Sequence, residues 1–508
     1  MDFIADAIVE KKEFLSKGLL ESIRNKLDES SMNSFSLFQN LSGYFSTFID
    51  DLWIYIEYPY VDKLYRSSYY MYYSSKHKSY NRNCFRLSFF NHQIIDNDFF
   101  YEEGRIRLQE AFLGFMVLRP TAPQLIGRNI LSPLVFKNRD FECCLTKDEV
   151  TIRGVKLTVH GFPHESQDGE FSTCAETSIW SLVEYFSHKY PEYKTILLSD
   201  IAKTLNDDAI ERVTPSQGLS PIQISWILKK FGFDPKTYFA TEMNHGNNID
   251  DTLKKVLFTY IDSGIPVICG LRLLGRDSIG HAIVVIGRSV LDFEKVKEKV
   301  ASLPVKYYNL YDLMEECSIV TIDDNMPPYN IVSFANPTMN YSTKLPSMIT
   351  SIVAPLYPKM NLEASQAMQV TDYFLNNTFQ SLLSDVFHED SLKQSAIYKL
   401  LLSSSRSFKS FVAKLENLEN NLKSLIVSIS MPKFVWIVEV SNLDLMEKDK
   451  INGFIIIDAT ASNIQVMCII LNGKLTLNYG KEWTDCSGCD ILPAYKNNLK
   501  GMWNQWKM

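Results

Sequence analysis

Between Gly169 and Asp323 the chain runs through three helix patterns and then three strand patterns. That order restricts the fold more than any other feature of its 508 residues. In CAETSIWSLVEYF, Ile179, Leu182, Val183 and Phe186 fall at i, i+3, i+4 and i+7, one apolar stripe of an amphipathic helix with Cys174 at its N-terminal end. SPIQISWILKKFGF follows with Ser220 as N-cap, Pro221 in the first helical position, a stripe of Ile224, Ile227, Leu228 and Phe231, and Gly232 as stop. A third helix, DTLKKVLFTYIDSG, ends at Gly264. PVICGLRL, HAIVVIG and SIVTID then read as three strands. Helices first and antiparallel-looking strands after give an α+β order.

Around this segment, taken as residues 161–345, the texture changes. Residues 1–100 are rich in Tyr, Phe and Ser, with helical periodicity near the start and the cluster IYIEYPYVDKLYRSSYYMYY from Ile54. Such aromatics would suit a surface for a protein partner, but a helical layer packed on its neighbours is the favoured reading, because buried aromatics dominate core energetics. Residues 101–160 carry short strand-like runs, RIRLQ, FLGFMVLRP and VTIRGVKLTVHGF, and read as a β-rich segment. Residues 346–430 look polar and helical, as in FVAKLENLENNLKSLI. Residues 431–508 form a terminal β region, with Asn472-Gly473 between two strand patterns predicting a two-residue type I′ hairpin turn.

Composition narrows the function classes. Hydrophobic residues make up 46% of the chain, enough for a core without disulfide staples, and the nine cysteines lack the spacing of a disulfide framework. Net charge is −7 with no long basic run, which argues against a nucleic-acid partner. The strongest apolar runs are too short to cross a bilayer, and MDFIADAIVEKKEF has no basic n-region, so the expectation is a soluble cytoplasmic protein.

Chemistry gathers in 161–345. A thiol attacks as thiolate, and a helix N-terminus favours that anion, which is where Cys174 sits. Gly280-His281 opens a strand whose apolar run fixes it in the sheet, so His281 can project towards the start of the cysteine helix as its base. Asp323 ends the neighbouring strand, where a partner for the second imidazole nitrogen belongs. Asp324 is an alternative third member, on the opposite face if the strand continues, and Asp458 ends another apolar run, FIIID. Gln167, seven residues before Cys174, could form an oxyanion hole with the Cys174 backbone N–H.

This order of Cys174, His281 and Asp323, with Gln167 shortly upstream, resembles the papain-like cysteine peptidase superfamily. Within it the pattern is most similar to the C39-like, bacteriocin-processing-peptidase-like catalytic region, whose second helix GLSPIQISWILKKFGF also resembles. The resemblance covers 161–345 and implies a papain-like catalytic domain, with the cysteine on a helix layer, His and Asp on an antiparallel sheet, and the cleft between. It implies a thiol hydrolase acting on a protein or peptide through a thioester acyl-enzyme, without metal or cofactor. The chain departs from papain itself in the Gln spacing, in Ala175 after the cysteine and in Asp rather than Asn as third member.

Other motifs carry less. Cys486-Ser-Gly-Cys489 is a single CxxC without the four ligands of a zinc site. His160 and His164 cannot form a helical metal pair with Gly161 and Pro163 between them. Adjacent Cys143 and Cys144 suit neither ligation nor bridging. Two functions compete with the hydrolase: an acyltransferase of transglutaminase-like type using the same triad, and a non-catalytic interaction protein on a papain-like scaffold.

Overall fold

The helix behind Thr173 spans Cys174–Lys189 and is covered on almost every side. Its predicted stripe of Ile179, Leu182, Val183 and Phe186 is buried, and so are Thr177, Ser178, Ser181 and Glu184 on its other faces. The cause is its position: it packs against a middle sheet and also against an N-terminal sheet, so no face is left for solvent. This computed structural model describes residues 6–27, 41–121, 125–168, 171–207, 219–240, 251–274, 280–304, 306–314, 318–343, 345–378, 396–416, 418–477, 484–486 and 488–495. Gly169 and Gly218, which belong to the motifs above, lie outside the described residues.

The protein is a mixed α/β chain with three seven-stranded sheets and a two-stranded ribbon among the described residues. Pairing is antiparallel apart from Tyr307–Asn309, which runs parallel to Ala396–Ser404. The three strands expected in the middle sheet are neighbours in it: Val267–Leu273, Gly280–Ser289 and Ser318–Ile322. His281 pairs with Leu271, and Ile322 pairs with Val284, so the strand carrying the aspartate ends beside the start of the strand carrying the histidine. Helix Pro221–Lys230 begins with the reciprocal cap its sequence predicts, Ser220 Oγ accepting from the Gln223 N–H at 3.3 Å and Gln223 Oε1 from the Ser220 N–H at 2.8 Å. It stops at Gly232, whose φ is +95°, and helix Asp251–Asp262 is followed by Gly264 at φ +77°.

The flanking regions differ from their sequence reading. Trp53–Tyr60 and Cys84–Phe90 are strands rather than parts of a helical layer, because the aromatic and β-branched run of the first and the phenylalanines of the second suit a pleated surface. Only Lys63–Met71 within the tyrosine cluster is helical, capped by Asp62. Conversely RIRLQ lies in helix Glu102–Ala111, with Leu108 inside and Ile106 outside. One sheet takes strands from Ala7 to His164, so residues 1–100 and 101–160 are a single layer and strand Val155–His164 crosses the boundary placed at 160. The 346–430 region is helical only in part: Ser347–Ala354 joins the middle sheet and Ala396–Ser404 the third.

The terminal strands belong to that third, separate sheet. Along Phe434–Ser441, Trp436, Val438 and Val440 join the main core while Val435 and Ile437 join a smaller one on the other face. Two-sided burial explains why these strands read as continuous apolar runs. Asn472 and Gly473 both have positive φ, 45° and 74°, as the type I′ turn requires. Cys486 and Cys489 are buried side by side in the smaller core. Among the described residues no helix is long and apolar enough to cross a membrane.

Candidate active site

Sheet pairing and helix packing bring Cys174, His281 and Asp323 together. The Cys174 thiol, partly exposed at the first helical position, borders the same cavity as the His281 ring and interacts with it electrostatically. One turn along the helix, Ser178 Oγ donates to the Ala282 carbonyl at 3.4 Å, tying helix to strand beside the histidine. His281 Nε2 is 3.0 Å from Asp323 Oδ1 and 2.9 Å from Tyr341 Oη, while Tyr341 donates its own hydroxyl proton to Asp323 Oδ2 at 2.5 Å. Both partners of Nε2 are acceptors towards it, so the ring proton sits on Nε2 and Nδ1 is left for the thiol.

The charges follow from these contacts. Burial opposes the imidazolium, but Asp323, and after it Cys174, outweigh burial and hold His281 well above its usual range. For Asp323 burial is again the opposing influence, outweighed by His281, the Tyr341 hydroxyl and the Asn325 N–H, and its carboxyl stays below the usual range. Asp324 is pushed up to about 7, by burial first; His281 relieves this in part and the Asp323 charge adds to it. Strand Ser318–Ile322 stops before Asp324, which turns with the loop instead of pointing to the opposite face, and its Oδ1 lies 3.7 Å from His281 Nε2. Asp323 therefore makes the closer contact, and the condition on which Asp324 would face the other way, a strand continuing through it, is not met. Asp458 caps its own turn, accepting from the Thr460 and Ala461 N–H groups.

Gln167 is at the same loop: its Nε2 donates to Asn325 Oδ1 at 2.7 Å. One of its two amide protons is thus engaged on the aspartate side, and Gln167 is not among the residues lining the cavity beside Cys174. Tyr341 escaped sequence reasoning altogether, and His164 entered it only as half of an excluded metal pair. His164 is fully buried on the N-terminal sheet. Its Nε2 donates to the Asp323 carbonyl at 3.0 Å and its Nδ1 accepts from Asn129 Nδ2 at 2.8 Å. Burial lowers it to about 4, so it is neutral with one tautomer fixed. Neither residue lies in a motif, and no local signal points to them.

A cavity of about 360 Å³ opens beside Cys174 and His281, walled by Pro221, Ile224, Ile268, Leu271, Val353 and Ser351. Ser351 is buried and its Oγ has no hydrogen-bond partner. Among the described residues, His281, Asp323 and Asp324 are the group with ligand atoms close enough for a cation, within 4.8 Å of one another. A cation there would displace the Nε2 proton and compete with Tyr341 for Asp323, so chelate and hydrogen-bonded relay are exclusive states of one cluster. No protein-family model matches the chain, and no curated protein matches it as a relative.

Proposed function

We propose that the chain is a papain-like cysteine hydrolase that cleaves peptide or isopeptide bonds, with Cys174 as nucleophile, His281 as base and Asp323 as the group that orients it. The carrying observation is that Cys174 at a helix start and His281, itself 3.0 Å from Asp323 Oδ1, line one cavity. In this reading the His281 imidazolium already holds the thiol proton on Nδ1, and Sγ attacks the substrate carbonyl carbon as the thiolate. The imidazolium gives the proton to the leaving amine, and a thioester remains on Cys174. Water then loses a proton to Nδ1, attacks the thioester and releases the acid and the free thiolate. The Cys174 N–H at the helix start is the candidate oxyanion donor. Among the described residues the wall mixes apolar side chains with Ser220, Thr350 and Ser351 and carries no carboxylate, lysine or arginine, which suits an uncharged group. A cytoplasmic setting, where a nucleophilic thiol stays reduced, belongs to the same proposal.

The test is alkylation by iodoacetamide or an epoxide probe. Labelling of Cys174 alone would say little, because Cys84, Cys143, Cys144, Cys269 and Cys468 are all buried. Dependence on the histidine is the discriminating result. The Cys174 rate should fall by about 10²-fold or more in His281→Ala, within the range one general base contributes. An unchanged rate in a folded His281→Ala protein would sink the proposal.

A further inference from the structure

The cysteine helix has a second end with unused chemistry. Ten residues beyond Cys174, Glu184 and then His188 border a cavity of about 300 Å³ against the N-terminal sheet, shared with Tyr60, Lys63, Arg128 and Asp148. Glu184 is 1% exposed; its Oε1 accepts from Lys63 Nζ at 3.1 Å, but its Oε2 is buried without a hydrogen-bond partner. The Nδ1 of His188 is buried and likewise makes no hydrogen bond, lying 3.7 Å from Asp148 Oδ1.

Arg128 supplies the opposite charge. Its Nε donates to Asp62 Oδ2 at 2.9 Å, and its guanidinium sits 4.8 Å over the Phe115 ring. Asp62 spends its other oxygen capping the Leu64 and Tyr65 N–H groups. The Arg128 Nη groups therefore have no hydrogen bond among the described residues. Buried polar groups are ordinarily satisfied; Glu184 Oε2 and His188 Nδ1 are not, and Arg128, of opposite charge to Glu184, borders the same cavity. The guanidinium plane is held in advance by Asp62 and Phe115, so little ordering is left for binding.

From this juxtaposition we infer that the cavity binds a small zwitterion of the free α-amino-acid class, its carboxylate on the Arg128 Nη groups and its ammonium on Glu184 Oε2. A simple anion would meet Lys63, Arg86 and Arg128 but also Asp148, Glu149 and Glu184. A simple cation would meet those carboxylates but also Arg128 and Lys63. A molecule carrying both charges satisfies the two ends at once, and the volume is at the small end of ligand pockets. The site is separate from the proposed active site and does not depend on it.

Calorimetric titration of the full chain with L-alanine, N-acetyl-L-alanine and L-alaninamide tests this. L-alanine should bind saturably below about 10 mM, with each blocked analogue weaker by about tenfold or more, the loss expected for one charge-assisted hydrogen bond. Glu184→Gln and Arg128→Lys should each weaken L-alanine by a similar factor, with folding checked by circular dichroism. In the wild-type protein, the His188 ring resonances should shift on adding L-alanine. Equal binding of the blocked analogues, no binding of L-alanine, or unmoved His188 resonances would each overturn the inference whether or not the variants fold. Cys174→Ala should bind L-alanine as the wild type does, which keeps this result distinct from failure of the hydrolase reading.

Discussion

Asp323 and Asp324 are neighbours in the chain and share one histidine, yet their surroundings favour opposite charge states. Asp323 accepts from the His281 ring, the Tyr341 hydroxyl and the Asn325 N–H, whereas Asp324 Oδ2 is buried with no partner. The Asp324 carboxyl is raised from 3.8 to about 7, so the folded protein holds its proton more tightly than the unfolded chain does. Its favourable share of stability is complete below about pH 4 and is lost as the pH rises through 7. Asp324→Asn should therefore stabilise the protein at pH 8 by something on the order of 2–4 kcal/mol, fading towards pH 4. Urea titrations at both pH values read this, and a gain independent of pH would contradict it. Tyr341 acts on the other carboxylate. Tyr341→Phe removes a hydroxyl that both donates to Asp323 and accepts from His281, and Cys174 alkylation should slow by roughly 3- to 30-fold, the worth of one charge-assisted hydrogen bond. An unchanged rate would mean that Asp323 alone sets the ring.

At the scale of elements, the site depends on a strand from a different sheet. His164 ends strand Val155–His164 and holds the Asp323 carbonyl, so the N-terminal sheet fixes the loop that carries the aspartate. His164→Leu leaves that carbonyl and one of the two Asn129 amide protons unpaired in the core, the other keeping the Gly127 carbonyl, at a cost of about 2–4 kcal/mol. Urea unfolding should show this loss, and Cys174 alkylation should slow with it. His164→Gln, which can still donate to the carbonyl, should recover the rate; failure to recover would make the role of His164 one of packing. This tie also marks where sequence reading ends. Ser220, Gly232 and Asn472-Gly473 were legible because caps and tight turns are decided by a few adjacent residues. Cys174, His281 and Asp323 were legible because each stands at the end of a strongly patterned element. Tyr341 is 60 residues from His281, and His164 is 159 from Asp323; such pairings depend on how sheets stack. RIRLQ misled because a short run with Ile106 exposed and Leu108 buried fits either period, and the tyrosine-rich strands misled because burial on both faces erases alternation.

For the whole molecule, those stacking contacts decide whether the segment resembling a peptidase could stand alone. The main core runs without interruption from Ala7 in the N-terminal sheet to Leu471 in the third. Residues 161–345 supply the cysteine helix but not the strands Thr146–Ile152 and Val155–His164 that cover one of its sides beyond Gly161. They supply Val267–Leu273 but not Ser347–Ala354, its antiparallel neighbour, and would leave an apolar edge open. Helix Asp251–Asp262 would lose Ala396–Ser404, against which it packs. Buried charge adds to the apolar loss: Arg288 pairs with Asp262 at 2.9 Å and with Glu142 at 3.0 Å, and Glu142 lies outside the segment. Removing one member of a buried ionic group costs about 3–5 kcal/mol, a large part of what a domain this size has in hand. A fragment of residues 161–345 should therefore show no cooperative thermal transition and should bind the dye ANS. Its Cys174 should also lose the dependence on His281, because the helix and the strand that face each other across the cleft are held in place from outside the segment. A sharp, reversible melt of that fragment would show instead that the flanking sheets were added to a domain able to fold without them.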